Sequence, residues 1–272
     1  MNLPLHPVRD HYRSVDLVRR LQIALAPFGP EHTALASRQL AGLDQFHIRG
    51  LSATTELAAL CGVRAQDIVL DVGCGVGGAA RYLSECFACR VLGVDPSEDF
   101  IEAARYLTQR ARLDARVSFE VGGAPGLPVH DQSADVVLLQ HVAMNVADRA
   151  GLYRDIRRVL RTAGRFASYD VVSCGAEPHY PVPWARSAAG SFLLDAAATR
   201  AAIEAAGLRV VAWKDDTPAA LAWAQRLRRA GPPSAPGLDV LMGADFPRLA
   251  ANLARSLRER RVGVVMAVFE AP

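Results

Sequence analysis

A glycine-rich segment that directly follows a short apolar run constrains this sequence more than any other feature. The run covers positions 68–72, and it is followed by Gly73, Gly75, Gly77 and Gly78. Glycine adopts positive φ without strain and lets a backbone approach a ligand closely, so this pattern is typical of a turn from a buried parallel strand into a helix. The segment therefore favours an α/β fold with a ligand-binding loop at the carboxyl edge of a sheet.

Strand and helix patterns alternate on both sides of this loop. Apolar runs predict strands at 68–72, 90–94, 117–121, 135–139, 164–172, 208–213 and 262–269, and helices at 79–87, 97–112, 149–160 and 199–206. This alternation predicts a doubly wound, Rossmann-like sheet of seven strands. We expect residues 1–60 to form a helical lead-in or flap, and residues 61–272 to form one domain with cover helices at about 216–261.

The composition excludes several classes of protein. The 272 residues include 31 Lys and Arg against 28 Asp and Glu, a net charge of +3, which is too even for binding nucleic acid mainly through phosphates. Lys214 is the only lysine, and no phosphate-loop Gly-Lys-Ser/Thr is present. We find no membrane-spanning stretch and no metal-ligand spacing, and we interpret the five cysteines as reduced thiols of a cytoplasmic protein.

Two acidic residues beside the glycines indicate what the loop would bind. Asp95 ends the second predicted strand, 20 positions after Gly75, where a carboxylate would reach the ribose hydroxyls of a nucleoside. Asp71 lies two residues before Gly73, where it suits a cationic amino-acid group and would repel a pyrophosphate. The pattern therefore favours S-adenosylmethionine over a dinucleotide; the alternative is a tight turn that binds no ligand.

The segment Asp71-Val-Gly-Cys-Gly-Val-Gly-Gly, followed by Gly-Val-Asp95-Pro96, resembles the class I S-adenosylmethionine-dependent methyltransferase family. More narrowly, it is similar to the small-molecule branch that includes ubiquinone/menaquinone and sarcosine/dimethylglycine methyltransferases. Segments 122–128, 131–137 and 158–165 extend the resemblance over about residues 64–172. The resemblance implies a sheet whose last strand is antiparallel, and S-adenosyl-L-methionine as cofactor with S-adenosyl-L-homocysteine as product.

The resemblance also implies a set of cofactor-binding positions: Asp71, Gly73, Cys74, Gly75, Asp95, Pro96, Gly123, Ala124 and Gln140. The backbone amide of Ala124 would meet the adenine ring, and Pro96 would cover an adenine face or simply begin the next helix. At Gly123 the sequence departs from the family, which usually has an acid that accepts a hydrogen bond from the adenine amino group. Losing that hydrogen bond could cost roughly 1–3 kcal/mol of cofactor affinity.

Three segments carry candidates for the acceptor side. His141 would act as a base or substrate contact, or alternatively cap a turn, and Asn145 would hold the same loop or touch substrate. Phe46, His47 and Arg49 would belong to a flap over the cofactor or to a solvated helix connection. A wall facing the substrate, or alternatively a proline-stiffened loop with its tryptophan in the core, would include the following residues: His179, Tyr180 and Trp184.

The leading hypothesis is methyl transfer by in-line displacement to a nitrogen, oxygen or activated carbon of a small molecule. We expect no nucleic-acid partner and no membrane span, and either a monomer or a homodimer. One alternative is a non-catalytic relative that binds cofactor, which Gly123 keeps open. The other is a nicotinamide-dependent oxidoreductase, against which Asp71 argues.

Overall fold

The computed structural model of the chain describes residues 16–230 and 236–272. The first 15 residues of the predicted lead-in and the breaker Gly231-Pro232-Pro233 lie outside these described residues. The strands are β1 (Ile68–Val72), β2 (Arg90–Asp95), β3 (Val117–Val121), β4 (Ala134–Gln140), β5 (Leu160–Ser173), β6 (Arg209–Asp215) and β7 (Val262–Glu270).

The helices lie before, between and after these strands. They are α1 (Leu17–Leu25), α2 (Ser37–Asp44), α3 (Leu51–Cys61), α4 (Gly78–Phe87), α5 (Glu98–Arg110), α6 (Arg149–Val159), α7 (Ala196–Ala205), α8 (Thr217–Ala230), α9 (Asp239–Met242) and α10 (Phe246–Arg258). Ser97 caps α5, because its Oγ accepts a hydrogen bond from the Phe100 backbone N–H.

The strands form one seven-stranded sheet in the order β3-β2-β1-β4-β5-β7-β6. Strands β1 to β5 pair in parallel, while β7 is antiparallel to both β5 and β6. This confirms the predicted doubly wound sheet with an antiparallel last strand. The order reverses at β1 and β4, so the ends of these two strands flank the crevice in which such folds bind ligands.

Strand β5 is longer than its sequence predicts, because it begins at Leu160 and not at 164. Leu160 pairs with Ala134, and the regular pairing with β4 resumes at Arg165. The intervening residues resemble a turn in sequence. They are held instead by the chain terminus, since Ala271 N donates to Gly164 O and Ala163 N donates to Ala271 O, both at 2.8 Å.

The lead-in and the cover contact each other on one side of the sheet. Helix α3 lies against β5 and β7, and α9 contacts α1. The rings of Phe46 and Phe246 are 6.3 Å apart, which joins the end of the lead-in to the start of α10. The cover region therefore contains helices α8, α9 and α10 and lies close to the lead-in. The division of the chain at residue 60 stays a prediction.

The end of α2 is fixed against the start of α4. A Cβ on Gly78 would lie 2.2 Å from the Asp44 carbonyl oxygen, so only glycine permits this approach. Arg81 donates to Asp44 Oδ2 at 2.9 Å, and both side chains are fully buried. Burial raises the pKa of Asp44, and the Arg81 guanidinium opposes that rise. The lead-in is thereby held directly beside the glycine loop.

Among the described residues, no helix is long and apolar enough to cross a membrane.

Candidate active site

The glycines between β1 and α4 serve two different purposes. All of Gly73, Gly75 and Gly77 have positive φ, between 53° and 79°. A Cβ on Gly73 would come within 2.3 Å of Val142, and one on Gly77 within 2.5 Å of Phe119, so these two glycines permit close packing. A Cβ on Gly75 would meet no atom within 4 Å. The loop therefore borders open space at Gly75, where a ligand can approach the backbone.

Two buried carboxylates lie beside that space, at the ends of β1 and β2. Asp95 accepts hydrogen bonds from the backbone N–H groups of Gly75 at 3.0 Å and Ser97 at 2.9 Å. Asp71 is 2% exposed, and its Oδ2 has no hydrogen-bond partner among the described residues. Burial raises the pKa of Asp71 to about 7, with a further contribution from Asp95, and burial raises the pKa of Asp95 to about 6. A cation placed against Asp71 would relieve this cost.

These features fit S-adenosylmethionine. The ammonium of its amino-acid portion would satisfy Asp71 Oδ2, and Asp95 keeps lone pairs for ribose hydroxyls after accepting its two backbone bonds. Cys74 is buried, and burial raises the pKa of its thiol well above the ordinary value, so it remains a neutral thiol. Pro96 is half-buried immediately after Asp95. A dinucleotide pyrophosphate would add negative charge beside two carboxylates.

The loop after β3 is held by two residues that sequence reasoning did not assign to the site. Asp155 Oδ2 accepts from the backbone N–H groups of Gly126 and Leu127, both at 2.7 Å. Arg158 pairs with Asp155 and donates to the carbonyl oxygens of Leu127 and Val129. The only sequence signal is the three-residue spacing of this acid and base on α6. The loop positions Gly123 and Ala124, and Gly122 N donates to Asp95 O at 3.0 Å.

A second cluster consists of His47, His141 and Tyr169. The His141 ring stacks on Tyr169 with 5.3 Å between centroids, and His47 meets the two rings edge-on at 5.9 and 6.0 Å. His141 has a φ of 56°, a left-handed conformation that is uncommon outside glycine, and its backbone N–H donates to Tyr169 O at 2.8 Å. The end of β4 thus directs this histidine into a buried aromatic group, and its Nε2 has no partner in the described part of the chain.

Both histidines of this cluster are neutral at physiological pH. Burial lowers the pKa of His47 to about 4, and burial together with His47 lowers the pKa of His141 well below its usual value. A neutral imidazole with a free nitrogen can accept a proton or a hydrogen bond. The cluster therefore offers a half-buried proton acceptor at the end of β4.

An ion network that is buried at Asp216 and exposed at Lys214 lies behind the cluster. Arg49 donates to Asp216 and to Glu56, both at 2.6 Å, and Lys214 pairs with the same two acids. Tyr169 Oη donates to Asp216 Oδ2 at 3.1 Å, which connects the network to the ring that stacks on His141. Sequence reasoning named Arg49 and missed Asp216, because an acid at the end of a strand looks like an ordinary surface residue. In the fold it is fully buried.

The side-chain hydroxyl of Thr54 connects the lead-in to the end of β4. Thr54 Oγ1 contacts Gln45 Oε1 at 2.8 Å, His47 Nε2 at 3.0 Å and Gln140 Oε1 at 3.4 Å. Nearby, Asn145 Nδ2 donates to Val142 O at 3.4 Å and so holds its own turn. Sequence reasoning assigned no function to Gln45 or Thr54, which show no motif by themselves.

The same turn depends on a further acid that sequence reasoning missed. Asp170 of β5 accepts from the backbone N–H groups of Ala143 and Val171 at 2.8 and 3.0 Å. Burial raises the pKa of Asp170 to about 6. This acid fixes the chain that follows His141, and it contributes no free charge to the site.

The predicted wall after β5 is divided between surface and core. His179 pairs with Glu259 at the surface, with 2.6 Å between His179 Nε2 and Glu259 Oε2. Trp184 is 4% exposed, belongs to the hydrophobic core, and donates from Nε1 to Ser191 Oγ at 2.9 Å. Tyr180 is half-buried against the same core. The position of Trp184 matches the alternative interpretation, a stiffened loop over the core, and a wall facing substrate stays a prediction.

Comparison with known proteins agrees with this site. Residues 70–168 match the family described as "Methyltransferase domain", a span that includes both carboxylates, the glycine loop and His141. This region is a class I S-adenosylmethionine-dependent methyltransferase domain. The sheet order of this methyltransferase domain and the position of its glycine loop agree with the fold that the sequence resemblance implies.

Three similar proteins define the extent of the likeness. Sterol 24-C-methyltransferase of Kluyveromyces lactis is 34% identical over 116 residues, 43% of this chain and 31% of that protein. The 27-O-demethylrifamycin SV methyltransferase of Amycolatopsis mediterranei is 38% identical over 117 residues, 43% of each chain. Geranyl diphosphate C-methyltransferase of Streptomyces coelicolor A3(2) shares the fold, with a TM-score of 0.69 at 17% identity over 98% of this chain and 97% of that one. The matched region thus spans less than half of these two curated relatives.

Proposed function

We propose that this protein transfers the methyl group of S-adenosylmethionine to a small-molecule acceptor. The observation that carries the proposal is the unpartnered Asp71 Oδ2, which lies buried in a methyltransferase domain where the glycine loop opens at Gly75. A buried acceptor without a partner is costly, and the cationic amino-acid portion of this cofactor would supply the missing contact.

The cofactor end of the site divides into positions with separate tasks. Asp71 would receive the ammonium, Asp95 the ribose hydroxyls, and the backbone of Gly73 to Gly75 would lie along the ligand. Pro96 and Ala124 would enclose the adenine, with Gly123 in the same loop, and Gln140 would face the amino-acid portion. When bound, S-adenosylmethionine supplies a sulfonium methyl group that a nucleophile can displace in line.

The acceptor end would provide orientation, a dry environment and a proton acceptor. In-line displacement requires the nucleophile close to the methyl carbon, and a base is needed only if the nucleophile must lose a proton. His141 would take that proton at Nε2, because it is neutral and unpartnered. His47 and Asn145 would contact the acceptor or shape its pocket, while Phe46 and Arg49 would hold the lead-in over the site.

The identity of the acceptor remains a class and not a compound: a nitrogen, an oxygen or an activated carbon of a small molecule. The names of two relatives denote methylation of a sterol and of a rifamycin, which supports a predominantly apolar acceptor. Tyr180, which lies between the surface pair of His179 and the core residue Trp184, would border the acceptor on the side of the loop after β5. We extend the proposal to a cytoplasmic monomer or homodimer. The near-even charge supports a substrate other than nucleic acid.

Calorimetric titration with S-adenosylhomocysteine, run beside NAD and NADP, tests the cofactor. We expect binding at micromolar concentrations of S-adenosylhomocysteine and none with either nicotinamide. Binding of NAD instead would overturn the proposal in favour of an oxidoreductase. Cofactor binding without methylation of any member of a panel of alcohols, phenols, amines and enols, assayed with methyl-labelled cofactor, would favour the non-catalytic alternative.

Substitution of His141 tests the acceptor end once an acceptor is found. For a hydroxyl acceptor, His141→Gln should lower kcat by about 10²- to 10⁴-fold, because general-base catalysis typically contributes that much. The affinity for S-adenosylhomocysteine should stay unchanged. His32→Gln is the matched control, since this histidine is exposed. Equal kcat values for His141→Gln and the wild type would contradict the assignment of His141 as a base.

A further inference from the structure

Gln45 presents a buried hydrogen-bond donor that the fold does not use. Its side chain belongs to a residue that is 3% exposed, and Oε1 accepts from Thr54 Oγ1 at 2.8 Å. The amide nitrogen, Nε2, carries two N–H donors, and no acceptor among the described residues meets it in hydrogen-bond geometry. The interaction of the Gln45 side chain with the neighbouring Asp44 carboxyl opposes the rise in the pKa of Asp44, and it can engage only one of the two donors. An unsatisfied buried donor is costly, so this amide is suited to an acceptor from a ligand.

Two structural links place Gln45 at the cofactor end of the sheet. The Asp44 carbonyl, one residue earlier, lies against Gly78 at the start of α4, immediately after the glycine loop. Thr54, which holds Gln45, also contacts Gln140 at the end of β4. Gln140 lies two residues beyond Leu138, the pairing partner of Asp71 in β1. Gln45 and Asp71 therefore approach the same crevice from the lead-in and from the sheet.

The two unpartnered groups at this crevice are complementary to an amino acid. Asp71 Oδ2 is an acceptor and Gln45 Nε2 is a donor, so a ligand with one ammonium and one carboxylate would satisfy both. The nearest charged donor on this segment, Arg49, is already paired with Asp216 and Glu56. A neutral amide is thus the donor that the lead-in has available for a carboxylate.

We propose that Gln45 Nε2 binds the carboxylate of the amino-acid portion of S-adenosylmethionine, while Asp71 binds its ammonium and Thr54 positions the Gln45 side chain. This assignment rests on the proposed cofactor and adds a binding residue from outside the methyltransferase domain match. It makes the lead-in part of the cofactor site, and it makes the carboxylate of the ligand a determinant of affinity.

The test compares three variants against two ligands by calorimetry. The ligands are S-adenosylhomocysteine and its decarboxylated analogue, S-adenosyl-3-thiopropylamine. Gln45→Met preserves side-chain length and removes the donor, and Gln109→Met makes the same change on the exposed surface of α5. Asp71→Asn removes the charge at the other end of the ligand. A hydrogen bond to a charged group predicts that Gln45→Met weakens S-adenosylhomocysteine binding by roughly 10- to 100-fold.

The decarboxylated analogue should bind Gln45→Met and the wild type alike, and Gln109→Met should change the affinity for neither ligand. Asp71→Asn should weaken both ligands, because both carry the ammonium. Equal losses for both ligands in Gln45→Met, or no loss for either, would overturn the role of Gln45. Failure of the wild type to bind S-adenosylhomocysteine is a different result, because it would remove the proposed cofactor itself.

Two further measurements remain decisive if Gln45→Met does not fold. In the wild type, removal of the ligand carboxylate should itself cost roughly 10- to 100-fold in affinity, and equal affinities for the two ligands would overturn the proposal. Thr54→Val removes the hydroxyl that holds Gln45 and leaves the amide in place. It should weaken S-adenosylhomocysteine selectively, by less than Gln45→Met does.

Discussion

The cofactor end and the acceptor end of the site are built in opposite ways. At the cofactor end, Asp71, Gly75 and Asp95 come from 25 consecutive residues. The loop there borders open space at Gly75, and Asp71 Oδ2 has no hydrogen-bond partner among the described residues. At the acceptor end, His47, His141 and Asp216 come from three distant segments, and the buried charges are paired with one another. Residues close together in the sequence form the cofactor end, whereas tertiary packing of distant segments forms the acceptor end.

This difference separates what each end contributes to the protein. Unpaired buried groups cost stability until a ligand satisfies them, so the cofactor end gives up stability in exchange for affinity. A paired network that joins lead-in, sheet and cover is expensive to break, so the acceptor end holds the fold together. Substitutions at the two ends should therefore affect different measurements.

The largest expected effect is on stability, at the acceptor end. Asp216→Ala leaves Arg49 buried without its main partner and removes the acceptor for Tyr169 Oη. Breaking a buried pair from one side typically costs about 3–5 kcal/mol, so we expect the free energy of unfolding in urea to fall by that amount. Asp245→Ala is the control, because its pair with Arg186 is exposed and should be worth less than about 1 kcal/mol. Similar losses for the two variants would erase the contrast between the two ends.

The next effect is on affinity, at the cofactor end. Asp95→Ala removes the proposed ribose contact and the acceptor for the Gly75 and Ser97 backbone N–H groups. Two contacts to a charged group predict a loss of about 100-fold or more in affinity for S-adenosylhomocysteine. The stability loss should be smaller than that of Asp216→Ala, because burial already disfavours the Asp95 charge. An unchanged dissociation constant in calorimetry would remove Asp95 from the cofactor site.

A pH titration sharpens the same comparison. The Asp71 pKa of about 7 means that the ligand-free carboxyl holds a proton below that pH, whereas a bound ammonium favours the ionised form. Binding should therefore release a proton, and affinity for S-adenosylhomocysteine should fall by up to about tenfold between pH 7 and pH 6. Titration in two buffers with different ionisation enthalpies measures the release. Asp71→Asn should abolish it, and a pH-independent affinity in the wild type would contradict the ionic contact.

The stability of the ligand-free protein should show the opposite trend. Asp71, Asp95 and Asp170 have raised pKa values of about 7, 6 and 6, from an ordinary value of 3.8. The folded state then holds protons that the unfolded chain has released, so these groups favour folding at low pH and lose that contribution as pH rises from about 4 to about 7. Urea unfolding at a series of pH values checks the sign, and Asp71→Asn should flatten the part of the decline nearest pH 7.

The same division explains which features the sequence predicts. The sheet and the cofactor loop follow from short segments whose apolar period, glycines and acids are all adjacent in the chain, whereas the antiparallel β7 follows from the family resemblance. Asp216 and Asp170 give no such signal, because an isolated acid near a strand end is usually exposed. Their burial depends on pairing with Arg49 and with the backbone of a turn, and these contacts exist only in the complete fold.

Gln45 and Asp155 show this limit within the cofactor end itself. Asp155 lies 29 residues after Gly126 and accepts a hydrogen bond from its backbone N–H. Gln45 lies on the lead-in, outside the segment from Asp71 to Asp95 that carries the motif. Neither has a recognisable pattern, since one hydrogen bond to a backbone or ligand imposes no spacing on the sequence. Resemblance to a family predicts positions that would contact the cofactor locally, while the supporting contacts require the structure.

The smallest expected effect concerns Gly123, where the cofactor end departs from the family pattern. Gly123→Asp would restore an acceptor for the adenine amino group in a loop already held by Asp155. Because this position is half-buried, we expect a gain in affinity for S-adenosylhomocysteine of about fivefold, near the lower end of hydrogen-bond energies. Val121→Asp adds the same charge at an exposed position two residues earlier, and it should leave affinity unchanged. Equal gains would indicate a general electrostatic effect, and a loss in Gly123→Asp would show that this chain holds the adenine differently from its family. Such a loss would locate the difference between this chain and its family at the adenine contact of position 123.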